Sequence, residues 1–314
     1  MNNKKENRNC NNYRRTDLAL EVRETFEDDD VEIKGVELTE DVLKESDIKV
    51  TTVVIKDEQG AAAMHKPIGS YITIEAPKLS GSDENYHKPL SDEIAKYIKQ
   101  LSGGLEKKHV LVAGLGNREL TADALGPQVV DHLFVTRHLI REFGEEFASR
   151  NQMHSMSAIS PGVMGQTGME SSEILKGIIQ ETKPDLLIVI DALASRSIHR
   201  LNKTIQITDT GISPGSGVGN NRNALNKECL GIDVIALGVP TVVDAATIVD
   251  DAMEDFLHHK GFAEDEVHQF ISEIFENDTS MRNLFVTPKN IDDSIHRISY
   301  CISEAINHCF YEYH

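Results

Sequence analysis

From His109 onward, short apolar runs alternate with segments of helical periodicity, and this alternation restricts the fold more than any other feature of the chain. HVLVAGLG (109–116), SAISPGV (157–163), DLLIVID (185–191), TIQITDT (204–210) and DVIALGVP (233–240) read as strands. DLLIVID and HVLVAGLG are apolar almost throughout, as a strand must be when both of its faces are covered. Amphipathic stretches fall between them, at 124–141, at about 168–181 and from about Val243 to His258. Such an order specifies an α/β fold: a mostly parallel sheet with helices on both faces. A last helix is expected over about 290–312. Its stripe of Ile291, Ile295, Ile298, Ile302, Ile306 and Phe310 suits either core packing or a subunit contact.

The first hundred residues follow another pattern. IKVTTVVIK (48–56) and SYITIEA (70–76) are rich in β-branched residues and separated by turn formers. They are expected to form a smaller antiparallel sheet beside the main one, a β subdomain at about 45–80. Residues 82–91 read as a connector, followed by a helix from about Asp92 to Leu101. Residues 1–17 are polar, basic and rich in Asn, with nothing to offer a core. From residue 18 to 314 the chain reads as one domain.

With 314 residues, 39% of them hydrophobic, the chain can bury a sizeable core. Its formal charge of -19 repels nucleic acid and anionic membranes, so direct nucleic-acid binding is not expected. No apolar run reaches spanning length and no apolar leader opens the chain, which reads as cytoplasmic. Cys10, Cys229, Cys301 and Cys309 are far apart without a CxxC pair, the pattern of free thiols. Phosphate-loop and HExxH motifs are absent, and Glu119 stands where a dinucleotide fingerprint needs its third glycine. Neither a cofactor nor a metal is expected.

In a parallel sheet, sites form beyond the carboxyl ends of the strands. Asp191 ends DLLIVID, Asp123 lies in GLGNRELTADALGP (114–127), and Asp244 follows DVIALGVPTVV. Two such carboxyls brought together divide their pKa values, so that one holds a proton while the other activates water. Each also has a structural reading: Asp123 and Asp244 as helix caps, Asp191 as a buried acid bound to Arg196 or to backbone amides. ISPG occurs at 159–162 and 212–215. Gly215 and Gly217 could line a cleft through backbone N–H groups, or simply make tight turns. GISPG (211–215) matches GxSxG, but Pro214 removes the N–H an oxyanion hole would need after Ser213.

RTDLALE (15–21), VTTVVI (50–55), GLGN and TADALGP, SAISPGVMGQTG (157–168), KPDLLIVIDALASRSI (183–198), TIQITDTGISPGSGVGNNR (204–222), VIALGVPTVVDAATI (234–248) and NLFVTPKNID (283–292) together resemble the germination protease family of endospore-forming bacteria. The resemblance spans most of the chain. It implies an atypical aspartic endopeptidase with a fold similar to the hydrogenase-maturation proteases. Such enzymes are made as homotetrameric zymogens in the developing spore, remove their own propeptide, and cut small acid-soluble spore proteins during germination. It implies Asp123 and Asp191 as the catalytic pair. Read from the residues themselves, Asp244, Arg196, Gly215 and Gly217 are candidate supporting residues, with Arg196 or donors of the glycine loops expected to hold the developing oxyanion. Family substrates are cut between an acidic and a hydrophobic residue. Thr16-Asp17-Leu18-Ala19 offers that pattern, so residues 1–17 become a propeptide released between Asp17 and Leu18. Two alternatives stand beside this: a metal-dependent peptidase using Asp123, Asp191 and His199, and a peptide-binding protein without activity.

Overall fold

The computed structural model describes residues 16–24, 33–81, 83–105, 108–218, 222–263, 266–267, 270 and 284–311. Most of the expected propeptide, residues 1–15, and Cys10 lie outside them. The strands are β1 (Val36–Leu43), β2 (Ile48–Ile55), β3 (Gly69–Glu75), β4 (His109–Gly114), β5 (Ser155–Ile159), β6 (Leu186–Ser195), β7 (Thr204–Thr208), β8 (Asp233–Asp244) and β9 (Phe285–Val286). They form one sheet in the order β1-β2-β3-β7-β8-β6-β4-β5, with β9 pairing to β8. From β8 to β5 the neighbours are parallel. From β1 to β8 they are antiparallel.

The α/β class with a parallel core and helices on both faces is therefore as expected. The antiparallel strands differ from expectation in one respect: they are not a sheet beside the main one. β3 hydrogen-bonds to β7 over five residue pairs and extends the same sheet. Ile72 and Ile74 then join the core that Ile205 and Ile207 enter, which a detached subdomain could not achieve. β1 carried no legible signal because it is an edge strand whose side chains are mostly exposed. Its Glu40 pairs with Lys49 of β2, the kind of charged edge that discourages further strand addition.

The helices are α1 (Ala19–Glu24), α2 (Glu58–Met64), α3 (Glu84–Leu101), α4 (Leu125–Asp131), α5 (Arg137–Phe143), α6 (Glu145–Arg150), α7 (Met164–Thr167), α8 (Ser171–Thr182), α9 (Lys227–Leu230), α10 (Ala245–His259) and α11 (Ile291–Phe310). One sheet face is covered by α3 and α11, whose Leu90, Ile94, Ile298 and Ile302 pack on Val110, Val112, Ile188 and Ile190. The stripe of α11 is thus core. Over the other face, Leu175 and Ile179 of α8 and Leu230 of α9 cover Leu111, Leu187 and Val189. Each large aliphatic so buried contributes about 1.5–3 kcal/mol.

Two helix expectations are corrected. The supposed connector 82–91 is the first half of α3: Asp83 caps it by accepting from Asn85 N at 3.1 Å, and buried Tyr86 and Leu90 anchor it despite Pro89 within. The helix expected over 124–141 is broken in two. Thr136 N donates to Met156 O at 3.0 Å and Phe134 N donates to the Asn307 side chain at 2.9 Å, which holds the intervening chain against β5 and α11.

Candidate active site

The site arises because β6 outruns β4. The last rung between them pairs Gly114 with Ile190, and the next residue of β6 is Asp191. Alternation aims its side chain to the face that Leu187 and Val189 share with α8. No strand backbone covers it on the β4 side, while Gly238 lies opposite on β8. Asp191 is nonetheless only 6% exposed. Its Oδ1 accepts from Ala192 N at 3.0 Å.

Asp123 is brought there by close backbone packing after β4. A Cβ on Gly114 would lie 2.1 Å from Gly126 O, so only paired glycines let α4 approach β4 this closely. Gly116 has φ +111°, and a Cβ there would fall 1.9 Å from Asp123 O. The turn is fixed from two sides. Asn117 N donates to Asp123 Oδ2 at 2.7 Å, and Thr241 Oγ1 donates to Ala122 O at 2.6 Å. Thr241 is the extra residue of a register shift between β6 and β8, a bulge that re-aims its side chain. Asp123 does not cap α4, since Ala124 holds that position without a side-chain bond.

Asp123 and Asp191 line one cavity of about 500 Å³, with Asp17, Gly162, Gly215 and Thr241 also in its wall. Burial pushes Asp191 well above the ordinary carboxylate range, and the charges of Asp123 and Asp17 push it further; the Ala192 N–H opposes them. Burial also raises Asp123, against the Asn117 N–H. The order of ionisation follows from these influences. Asp123 loses its proton first, and Asp191 must then ionise beside an existing charge.

The other candidates go elsewhere. Asp244 caps α10, accepting from Ala246 N at 2.8 Å, and does not line this cavity. The Arg196 guanidinium donates to Asp251 at 3.3 Å rather than turning to Asp191. His199 lines a separate surface cleft with Arg200 and Glu24, so the three residues of the alternative, metal-dependent reading are not brought together. Gly215 is in the cavity wall. Gly217 makes room for a different neighbour, since a Cβ there would sit 2.2 Å from Asp17 Oδ2.

That contact belongs to an arrangement only the fold reveals. Residues 16–24 lie across the carboxyl end of β6. Asp17 N donates to Ala194 O at 3.0 Å, and the Asp17 carboxylate accepts from Ala194 N at 2.9 Å and Ser216 Oγ at 2.7 Å. The Asp17 carbonyl accepts from Lys66 Nζ at 2.8 Å and Gln206 Nε2 at 3.2 Å. Leu18 and Ala19 are fully buried. Glu21, 2% exposed, accepts from Arg196 N at 2.7 Å, Ser197 N at 3.0 Å and Arg200 Nη1 at 3.4 Å, and also from the Thr16 hydroxyl. Sequence reading missed Lys66, Gln206, Ser216, Glu21 and Arg200. Lys66 stands in a turn-forming stretch, HKPIGS, and Gln206 looks like an ordinary polar residue of a strand.

Arg200 closes this latch, since it also binds Glu24 through two donors at 2.7 Å. Replacing it with Met leaves buried Glu21 without its cation, a loss of about 3 kcal/mol. Arg200→Met should therefore lower the urea midpoint. It should also make the peptide bond after Arg23, now 8% exposed, accessible to added trypsin.

Comparison with known proteins shows the family. The family described as "Germination protease" (Peptidase_A25) matches residues 14–264. The chain belongs to the germination protease family. The germination protease of Caldanaerobacter subterraneus subsp. tengcongensis is 46% identical over 312 residues, covering 93% of both chains. That of Clostridium perfringens strain 13 is 45% identical over 307 residues, covering 93% of this chain and 94% of its own. That of Oceanobacillus iheyensis is 46% identical over 256 residues, 79% of this chain and 68% of its own length. A solved [NiFe] hydrogenase maturation protease, HycI from Thermococcus kodakarensis, overlaps 67% of this chain and 98% of its own with TM-score 0.32 and 16% identity. Overlap that slight carries no functional argument. As a germination protease the chain is a peptidase, and its substrates are proteins. No helix among the described residues is long and apolar enough to cross a membrane.

Proposed function

We propose that the chain is an endopeptidase zymogen that cuts itself between Asp17 and Leu18 and then degrades small acid-soluble spore proteins during germination. It works in the spore core as a homotetramer. The observation that carries this reading is the seating of Asp17 in the wall of the cavity that Asp123 and Asp191 share. An acidic residue followed by a buried leucine lies where a substrate chain would have to lie.

In this mechanism Asp123, ionised first, takes a proton from water, and the water oxygen bonds to the Asp17 carbonyl carbon. Asp191, still protonated, gives its proton to the Leu18 nitrogen as the Asp17–Leu18 bond breaks. The products are a carboxyl at Asp17 and an amine at Leu18. The proton gained by Asp123 and that lost by Asp191 are then exchanged with solvent. Ser216 Oγ–H and the Ala194 N–H read the acidic side chain before the cut, as they do for Asp17.

The test is the mass and N-terminal sequence of purified protein during incubation. A species beginning at Leu18 is expected. A chain that keeps residues 1–17 under every condition in which it cleaves a spore protein contradicts the zymogen reading. A chain that neither shortens nor cleaves favours a peptide-binding role.

A further inference from the structure

We propose that Lys66 and Gln206 form the oxyanion site of this peptidase, holding the oxygen of the bond to be cut and stabilising the negative charge it gains. The inference rests on Asp17–Leu18 being the bond cleaved. Its basis is the pair of donors, one cationic, that converge on the Asp17 carbonyl at 2.8 and 3.2 Å.

The two residues come from different elements and are held independently. Lys66 follows α2, in the turn that leads to β3, and Gln206 is the central residue of β7. The orientation of the Gln206 carboxamide is forced. Its Oε1 accepts from Ala19 N at 2.7 Å, and an N–H can face only the oxygen end. The NH₂ end is thereby turned to the Asp17 carbonyl, which can only accept. Gln206 thus grips the chain on both sides of the Asp17–Leu18 bond, and at 7% exposure it has little freedom to do otherwise.

Lys66 is the more informative residue. Its bond to the Asp17 carbonyl is a bond to a neutral oxygen, and among the described residues it makes no ion pair. Burial draws the ammonium below the ordinary lysine range, while the charges of Asp17 and Glu21 oppose that fall. Holding a partly buried cation against a neutral carbonyl, with no ion pair, is a costly way to anchor a loop. It is the arrangement required where the oxygen becomes an anion, because a preorganised donor then needs no reorganisation. It also assigns a role expected of Arg196, whose guanidinium is engaged by Asp251. The oxygen returns to a carbonyl when the C–N bond breaks, so the pair neither gains nor loses a proton.

The test is the first-order rate at which the chain beginning at Leu18 appears, with trypsin cleavage after Arg23 as an independent report of whether the segment stays seated. Lys66→Met should slow processing about 10²–10³-fold with Arg23 still protected, and Lys66→Arg should recover part of the rate. Gln206→Glu keeps the acceptor for Ala19 N but faces the carbonyl with an oxygen, and should slow processing at least about tenfold; it serves should Lys66→Met not fold. Processing of Lys66→Met at the parent rate overturns the inference, as does a loss accompanied by exposure of Arg23, which would make Lys66 an anchor only. Asp191→Asn run alongside separates the two readings. If the parent never cuts at Asp17–Leu18, or Asp191→Asn cuts equally fast, the proposed reaction itself fails.

Discussion

Asp191→Asn should slow the appearance of the chain beginning at Leu18 by about 10²–10⁴-fold, the usual worth of a positioned general acid. Asparagine keeps the shape and the bond from Ala192 N but has no proton to give to the departing nitrogen. Asp123→Asn should cost a similar factor, because the water then has no base. The parent should show a bell-shaped rate profile. The rate rises as Asp123 ionises, above the ordinary carboxylate range because burial raises it, and falls as Asp191 loses its proton at higher pH. Neither variant should retain the full bell.

Stability should move the other way, which separates lost chemistry from lost fold. The folded-state pKa of Asp191 lies above that of the unfolded chain, about 3.9 for an aspartate. The folded protein therefore holds a proton that the unfolded chain releases. That contribution is fully present below about pH 4 and is lost as pH rises toward the folded value. Asparagine carries no such linkage. Asp191→Asn should be more stable than the parent in urea at neutral pH, and the difference should vanish near about pH 3. An inactive variant that is also less stable at neutral pH would mean that Asp191 is a structural acid.

The second large effect concerns backbone contact. Gly114→Ala places a Cβ 2.1 Å from Gly126 O and 2.8 Å from the Val130 side chain, and the first of these cannot rotate away. Separating α4 from β4 should cost about 3 kcal/mol in a urea melt, at the upper end of overpacking penalties. It should also displace the turn that carries Asp123, so that processing falls further than the unfolded fraction explains. Gly177 is the contrast. It lies exposed inside α8, where an added Cβ would meet nothing within 4 Å, and Gly177→Ala should gain about 0.5–1 kcal/mol. A Gly114→Ala protein as stable as the parent would show that the close approach of α4 to β4 does not need glycine at this position.

Much of this was legible before any coordinates. DLLIVID and HVLVAGLG could only be covered strands, and the stripe of α11 lies on the core as its spacing suggested. Edge strand β1 was not legible, because an element with no buried face leaves no hydrophobic period to read. The break between α4 and α5 was hidden for a related reason: Thr136 and Phe134 are held by Met156 and Asn307, partners distant in the chain.

The same division runs through the site. Local order along the chain determined that Asp191 would lie in a buried strand and that Asp123 would follow a glycine turn, since burial pattern and turn chemistry are properties of neighbouring residues; that the strand runs on past Asp191 to Ser195, where DLLIVID was expected to end, was set by its pairing with β8. Whether those acids meet, and what meets the Asp17–Leu18 bond, was decided only by the folded sheet. Lys66 and Ser216 stand outside the strands, Ala194 belongs to β6 and Gln206 to β7, and no periodicity encodes contacts between residues so far apart in the chain. They converge because β3, β7, β8 and β6 are neighbours in one sheet, whose order is set by packing both faces at once.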